Sequence, residues 1–128
     1  MEHLYQDCAM GFIESVWNKR RFDTMSDYLH PCFRDHSLPF FSVQNQSGLR
    51  QYIQKLSQDF THKTTVSDFS FEGDMVALSI IMELKSKQPF GDDIPDDVCI
   101  ILSGYRFLRI QDGKIRDHWE ELATYTAG

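Results

Sequence analysis

Four side chains in this sequence have the types and spacing that acid–base or anion-binding chemistry requires: His36, Arg106, His118 and Glu120. In the run Tyr105-Arg106-Phe107-Leu108-Arg109-Ile110, strand alternation puts Arg106 on one face with Leu108 and Ile110. A guanidinium on an otherwise apolar face costs free energy unless it is paired or reached by water. Beyond Asp112-Gly113, His118, Glu120 and Leu122 share one face, and Asp117, Trp119 and Glu121 share the other. An imidazole and a carboxylate two residues apart can reach one cavity. With an arginine on the neighbouring strand they make an acid–base or anion-binding set. The plain alternative is a solvated sheet face bearing an ordinary Arg–Glu pair. His36, which follows Phe33-Arg34-Asp35, is a second candidate. An unperturbed imidazole pKa of about 6.5 suits a general base without further tuning, although a histidine beside an aspartate is also common in a loop or at an edge.

Other chemistries lack their residues. The five histidines are scattered, with no H-x-H, H-E-x-x-H or Cys–His spacing, so no metal site is expected. The acids Asp92, Asp93, Asp96 and Asp97 lack the spaced ligands and closing Glu of a calcium loop. Flanked by prolines, they read as a solvated loop, with a lid over a pocket mouth as the alternative. Thirteen basic and 19 acidic residues leave a formal charge of −6, and the one basic run is Lys19-Arg20-Arg21. That balance argues against nucleic acid. Three cysteines, Cys8, Cys32 and Cys99, form no C-x-x-C pair, which points to a reducing cytoplasm. The first residues lack a signal peptide's basic start and apolar run, and no apolar stretch approaches membrane-spanning length.

The elements that must position these residues fall into a helical front and a stranded back. One domain over residues 1–128 is expected, with 41% hydrophobic residues and ten Phe to line a broad concave sheet. From Leu4 to Trp17, apolar residues recur at helical spacing. Phe22, Met25, Tyr28 and Leu29 predict a short second helix, and Cys32–His36 an isolated strand. A third helix is expected to start near Ser47 as N-cap, with Leu49, Tyr52, Ile53, Leu56 and Phe60 on one face. Strands are predicted over Val66–Glu72 and Met75–Leu84 around Gly73-Asp74. Two more, over Val98–Ile110 and Lys114–Leu122, flank Asp112-Gly113. The class is α+β: three N-terminal helices wrapping a curved antiparallel sheet, with Phe12, Val16, Leu56 and Phe107 in the core.

The stretch Phe12-Ile13-Glu14-Ser15-Val16-Trp17-Asn18, then Phe22, Leu29 and Phe33-Arg34-Asp35-His36, resembles the opening of the SnoaL-like polyketide cyclase group of the nuclear transport factor 2-like superfamily. Ser47-Gly48-Leu49 leading to Phe60 fits the same template. So does Phe107-Leu108-Arg109-Ile110-Gln111-Asp112-Gly113-Lys114-Ile115, followed by Asp117-His118-Trp119-Glu120. The resemblance implies an α+β cone with a deep, mostly apolar pocket for a small molecule, no cofactor, and a homodimer through the open sheet. It implies that His36 stands where related isomerases carry an acidic general base, and Arg106 where they carry a proton-donating acid. It also implies inward-facing His118 and Glu120. Two departures matter: Ile13 stands near the position of the isomerases' tyrosine donor, and Ala123 near that of the cyclases' second acid. Cyclase-type chemistry would then use Glu120 or His36 as base, with Arg106 and protonated His118 stabilising an enolate. The competing expectation is a non-catalytic binding domain. A buried carboxylate with a raised pKa favours the enzyme; an Arg106–Glu120 salt bridge closing the cavity favours the binder.

Overall fold

The computed structural model describes residues 2–87 and 99–127, the last four by backbone alone. Helix α1 spans Glu2–Gly11 and passes directly into a π-helical segment, Phe12–Asn18. The wider turn is marked by the bond from the Lys19 N–H to the Glu14 carbonyl at 3.0 Å, five residues back. The predicted single helix is therefore two geometries, and the π segment is the part that buries Phe12, Ile13, Val16 and Trp17. Gly11, at the junction, is required by close approach: a Cβ there would collide with the Tyr28 ring.

The second helix is a 3-10 turn, Phe22–Thr24, followed by α2, Met25–Tyr28. Strand β1 runs Leu29–Asp35, starting earlier than expected and containing Pro31. β1 is an edge strand, where a proline's missing donor is tolerated. After a 3-10 turn at Phe41–Val43, α3 spans Gln46–Asp59. Its N-cap is Asn45, not Ser47: the Asn45 side chain accepts a hydrogen bond from the Gly48 N–H at 2.9 Å.

Four long strands follow: β2 Phe60–Glu72, β3 Met75–Ser86, β4 Cys99–Gln111 and β5 Lys114–Ala127. The sheet order is β1-β5-β4-β3-β2. All neighbours are antiparallel except β1 with β5, so the sheet is the expected curved, mostly antiparallel one with a single parallel edge. β2 begins six residues before its predicted start because His62 and Thr64 face inward and break the hydrophobic alternation. Register shifts in β2 (between Val66 and Asp68) and in the β4–β5 pairing bend the sheet around the helices. The turns behave as expected: Asp112 and Gly113 both have positive φ (54° and 78°), the pattern of a type I′ hairpin.

The core lies between the π segment, α3 and the concave face, with Phe12, Ile13, Val16, Leu49, Ile53, Leu78 and Leu108 at 0% exposure. Two predicted core residues differ. Leu56 is half-buried at the edge of the core, and Phe107 is half-buried on the outer face, since its neighbours Arg106 and Leu108 point inward. The acidic loop predicted at Gln88–Asp97 lies outside the described residues. Among the described residues no helix is long and apolar enough to cross a membrane.

Candidate functional site

The site is built on β5 and its two neighbours. Arg116 is an extra residue where the β4–β5 register shifts, since Asp117 pairs with Arg109 while Ile115 pairs with Ile110. That bulge resets the alternation so that Ile115 and His118 both face inward. Across the sheet His118 pairs with Leu108 on β4 and with Asp35 on β1, while Glu120 pairs with Arg106.

Two close pairings result. His118, 1% exposed, holds its Nδ1 3.0 Å from Asp35 Oδ2. The approach is oblique, so it is a close polar contact rather than a linear hydrogen bond. A carboxylate at that distance still requires the ring proton on Nδ1, because two lone pairs would repel. Asp35 Oδ1 accepts from the Ser37 N–H at 3.0 Å. Burial pushes the Asp35 carboxyl upward, but His118, the Ser37 N–H and Arg106 outweigh it and bring the pKa below the ordinary carboxylate range. The phenyl ring of Phe12 packs edge-on against the His118 imidazole at 6.0 Å.

The second pair joins the wholly buried Arg106, through Nε, to Glu120 Oε2 at 3.0 Å. Its Nη2 donates to Met82 Sδ at 3.4 Å, and its guanidinium lies over the Trp17 ring at 3.9 Å. Burial pulls the Arg106 pKa down while Glu120 and Asp35 hold it up; an arginine stays cationic under such opposed influences.

A cleft of about 70 Å³ opens between these pairs and α3, lined by Trp17, Asp35, Leu38, Tyr52, His118 and Glu120 among others. Tyr52 meets Trp17 edge-on at 6.2 Å. Burial, then the Glu120 charge, raises the Tyr52 pKa, so its phenol remains a hydrogen-bond donor.

The structure thus brings together His118, Glu120 and, just beneath the cleft lining, Arg106. His36 does not join them. It lies on the opposite side of the sheet, its Nε2 2.8 Å from Asp117 Oδ1 and its ring stacked on Trp119 at 4.8 Å. It follows Asp35, the last residue of β1, and one residue is enough to reverse the face. Two cleft residues were not singled out from the sequence. Asp35 shares parity with the buried Phe33, which was a readable signal; Tyr52 was read as part of an apolar helix stripe. Among the described residues no group of three or more His, Cys, Asp or Glu is placed to hold a metal ion.

Comparison with known proteins identifies the family. The SnoaL-like polyketide cyclase profile matches residues 7–126, and the chain belongs to that family. No curated protein matches the sequence. Among solved structures, TsrD from Streptomyces laurentii is 18% identical with a TM-score of 0.74, over 95% of this chain and 90% of that one. IdmH from Streptomyces antibioticus is 20% identical with a TM-score of 0.74, over 94% and 90%. An LEH-like epoxide hydrolase from M. tuberculosis is 11% identical with a TM-score of 0.67, over 94% and 80%. At these identities the likeness establishes the fold, an α+β cone; activity must be argued from the site.

Proposed function

We propose that this protein is a cyclase-type enzyme acting on a carbonyl-containing apolar small molecule, with His118 as its acid–base group. The observation that carries the reading is the buried His118 in the cleft wall, whose Nδ1 is held by Asp35 while Nε2 has no partner among the described residues. A proton fixed on Nδ1 leaves a lone pair on Nε2, the arrangement an orienting carboxylate gives a catalytic imidazole.

In the proposed reaction Nε2 takes a proton from carbon beside the substrate carbonyl, and the C–H electron pair becomes an enolate. The Tyr52 phenol donates a hydrogen bond to the enolate oxygen. The enolate carbon then attacks a second carbonyl of the same molecule, forming the ring bond, and the resulting alkoxide recovers the proton from Nε2. Asp35, held ionised, compensates the imidazolium between the two transfers. Glu120 is the alternative base from the sequence; its carboxylate is tied to Arg106, which favours His118.

A second reading, a non-catalytic binding protein, is favoured by two observations: the Arg106–Glu120 salt bridge that was set as its mark, and a buried carboxylate, Asp35, whose pKa is lowered rather than raised. Deuterium exchange separates the two. Incubation of a β-diketone such as acetylacetone in D2O with the protein should accelerate exchange at its acidic carbon, and His118→Ala should abolish the acceleration. Exchange at the buffer rate with wild-type protein would leave the binding reading.

The same reading includes a homodimer through the sheet. The outer face presents Tyr105 at 50% and Ile81 at 38% exposure, with Phe107 and Trp119 beside them, an apolar patch of the kind that marks an interface.

A further inference from the structure

Around the cleft, several side chains end in polar atoms that find no hydrogen-bond partner among the described residues: Trp17 Nε1, Thr64 Oγ1 and Arg106 Nη1, besides the His118 nitrogens. The exposures of Trp17, Thr64 and Arg106 are 2%, 1% and 0%. Buried donors without acceptors are rare in native proteins and need a specific reason. These three belong to one cluster. The Arg106 guanidinium lies 3.9 Å over Trp17, and its Nη2 bonds Met82 Sδ. Met82 is the cross-strand partner of Thr64, whose N–H bonds the Asn18 side chain at 2.8 Å, one residue past Trp17. The two residues that flank the guanidinium, Trp17 and Glu120, both line the cleft, so the cluster sits directly behind its wall.

The chemistry of the missing partner follows from the donors. An indole N–H and a guanidinium N–H only donate, and a hydroxyl can do so, so the cluster calls for an acceptor. The local charge narrows the class. Arg106 is already matched by Glu120, and Asp35 adds a further negative charge nearby. An anion would meet net repulsion; a neutral carbonyl oxygen would not. This displaces the sequence-based expectation of an anion-binding role for Arg106.

We propose that Trp17, Thr64 and Arg106 form a receiving site for a neutral carbonyl oxygen of the ligand, behind the carbonyl that Tyr52 holds. The site acts in binding and does not require His118 to be a base, so it stands or falls separately from the exchange chemistry.

Titrations of the full chain followed by NMR test it, with acetylacetone as the neutral probe, its diol as a probe lacking carbonyls, and acetoacetate as the anion. Acetylacetone should bind with shifts at the Trp17 indole N–H, and more tightly than either control. Thr64→Val removes one donor at nearly constant shape and Trp17→Phe removes the indole N–H; each should weaken acetylacetone roughly five- to tenfold, the loss of one hydrogen bond. Thr64→Val should leave the melting temperature of the free protein unchanged, because it removes no existing bond, whereas Trp17→Phe shrinks a buried ring beneath Arg106 and should lower it. Unchanged affinity in both variants, tighter binding of acetoacetate, or no binding of acetylacetone to the wild type would overturn the proposal. So would a Thr64→Val variant that melts lower while binding normally, since its hydroxyl would then serve the fold.

Discussion

Replacing Glu120 by Leu would leave the Arg106 guanidinium in the interior without its bonded carboxylate. Arg106 is fully buried, and Glu120 supplies its one carboxylate contact among the described residues, at 3.0 Å. Breaking a buried pair from one side costs about 3–5 kcal/mol. The Glu120 side chain is 17% exposed and Asp35 also acts on Arg106, so the low end, about 3 kcal/mol, is expected here. For a chain of this size that corresponds to a melting temperature lower by roughly 10–15 °C. Urea unfolding followed by tryptophan fluorescence measures the change, with an unchanged m-value as the check that only stability moved. The companion double variant, Arg106→Met with Glu120→Leu, removes both charges and should recover most of the loss, since apolar replacements of buried pairs are often neutral. A loss below about 0.5 kcal/mol for Glu120→Leu, or a double variant no better than the single one, would refute the reasoning.

Other consequences follow from the same geometry. Asp35 has a folded-state pKa below the unfolded value of about 3.9, so its stabilisation is complete above about pH 4 and is lost as pH falls through the lower folded value. Asp35→Asn should therefore flatten the acid limb of the stability profile there, and an unaltered limb would contradict the Asp35–His118 pairing. Gly11→Ala, which pushes a methyl group against the Tyr28 ring, should destabilise by about 1–3 kcal/mol in thermal unfolding. Sedimentation should give a dimer at micromolar concentration that Tyr105→Glu dissociates; a wild-type monomer would remove the sheet interface.

Much of the arrangement was readable because it rests on local rules. Alternation placed His118 and Glu120 on one face and Arg106 with Leu108 and Ile110; the Asp112-Gly113 turn alone would set Arg106 opposite Trp119, and it is the bulge at Arg116 that brings Arg106 opposite Glu120. Where the readings departed, a nonlocal contact decided. His36 and Asp35 are neighbours; parity with Phe33 points Asp35 inward, and the register of β1 against β5 sets it beside His118. The start of β2 was hidden because the inward positions His62 and Thr64 are polar; His62 satisfies one ring nitrogen through Ser57 at 2.8 Å, a partner on α3. The π segment was hidden too, since its apolar spacing matches that of an α-helix closely enough over seven residues. Tyr52 reads as core until Trp17 and Glu120 are seen beside it.

The account rests on which nitrogen of His118 carries the proton. Nitrogen-resolved NMR of the imidazole in mildly alkaline solution distinguishes the two neutral tautomers, with His118→Gln assigning the signal. The geometry at Asp35 predicts a proton on Nδ1 and a lone pair on Nε2, changing on Asp35→Asn. A neutral His118 protonated on Nε2 would contradict it, because Nε2 would then have no lone pair with which to act as the base.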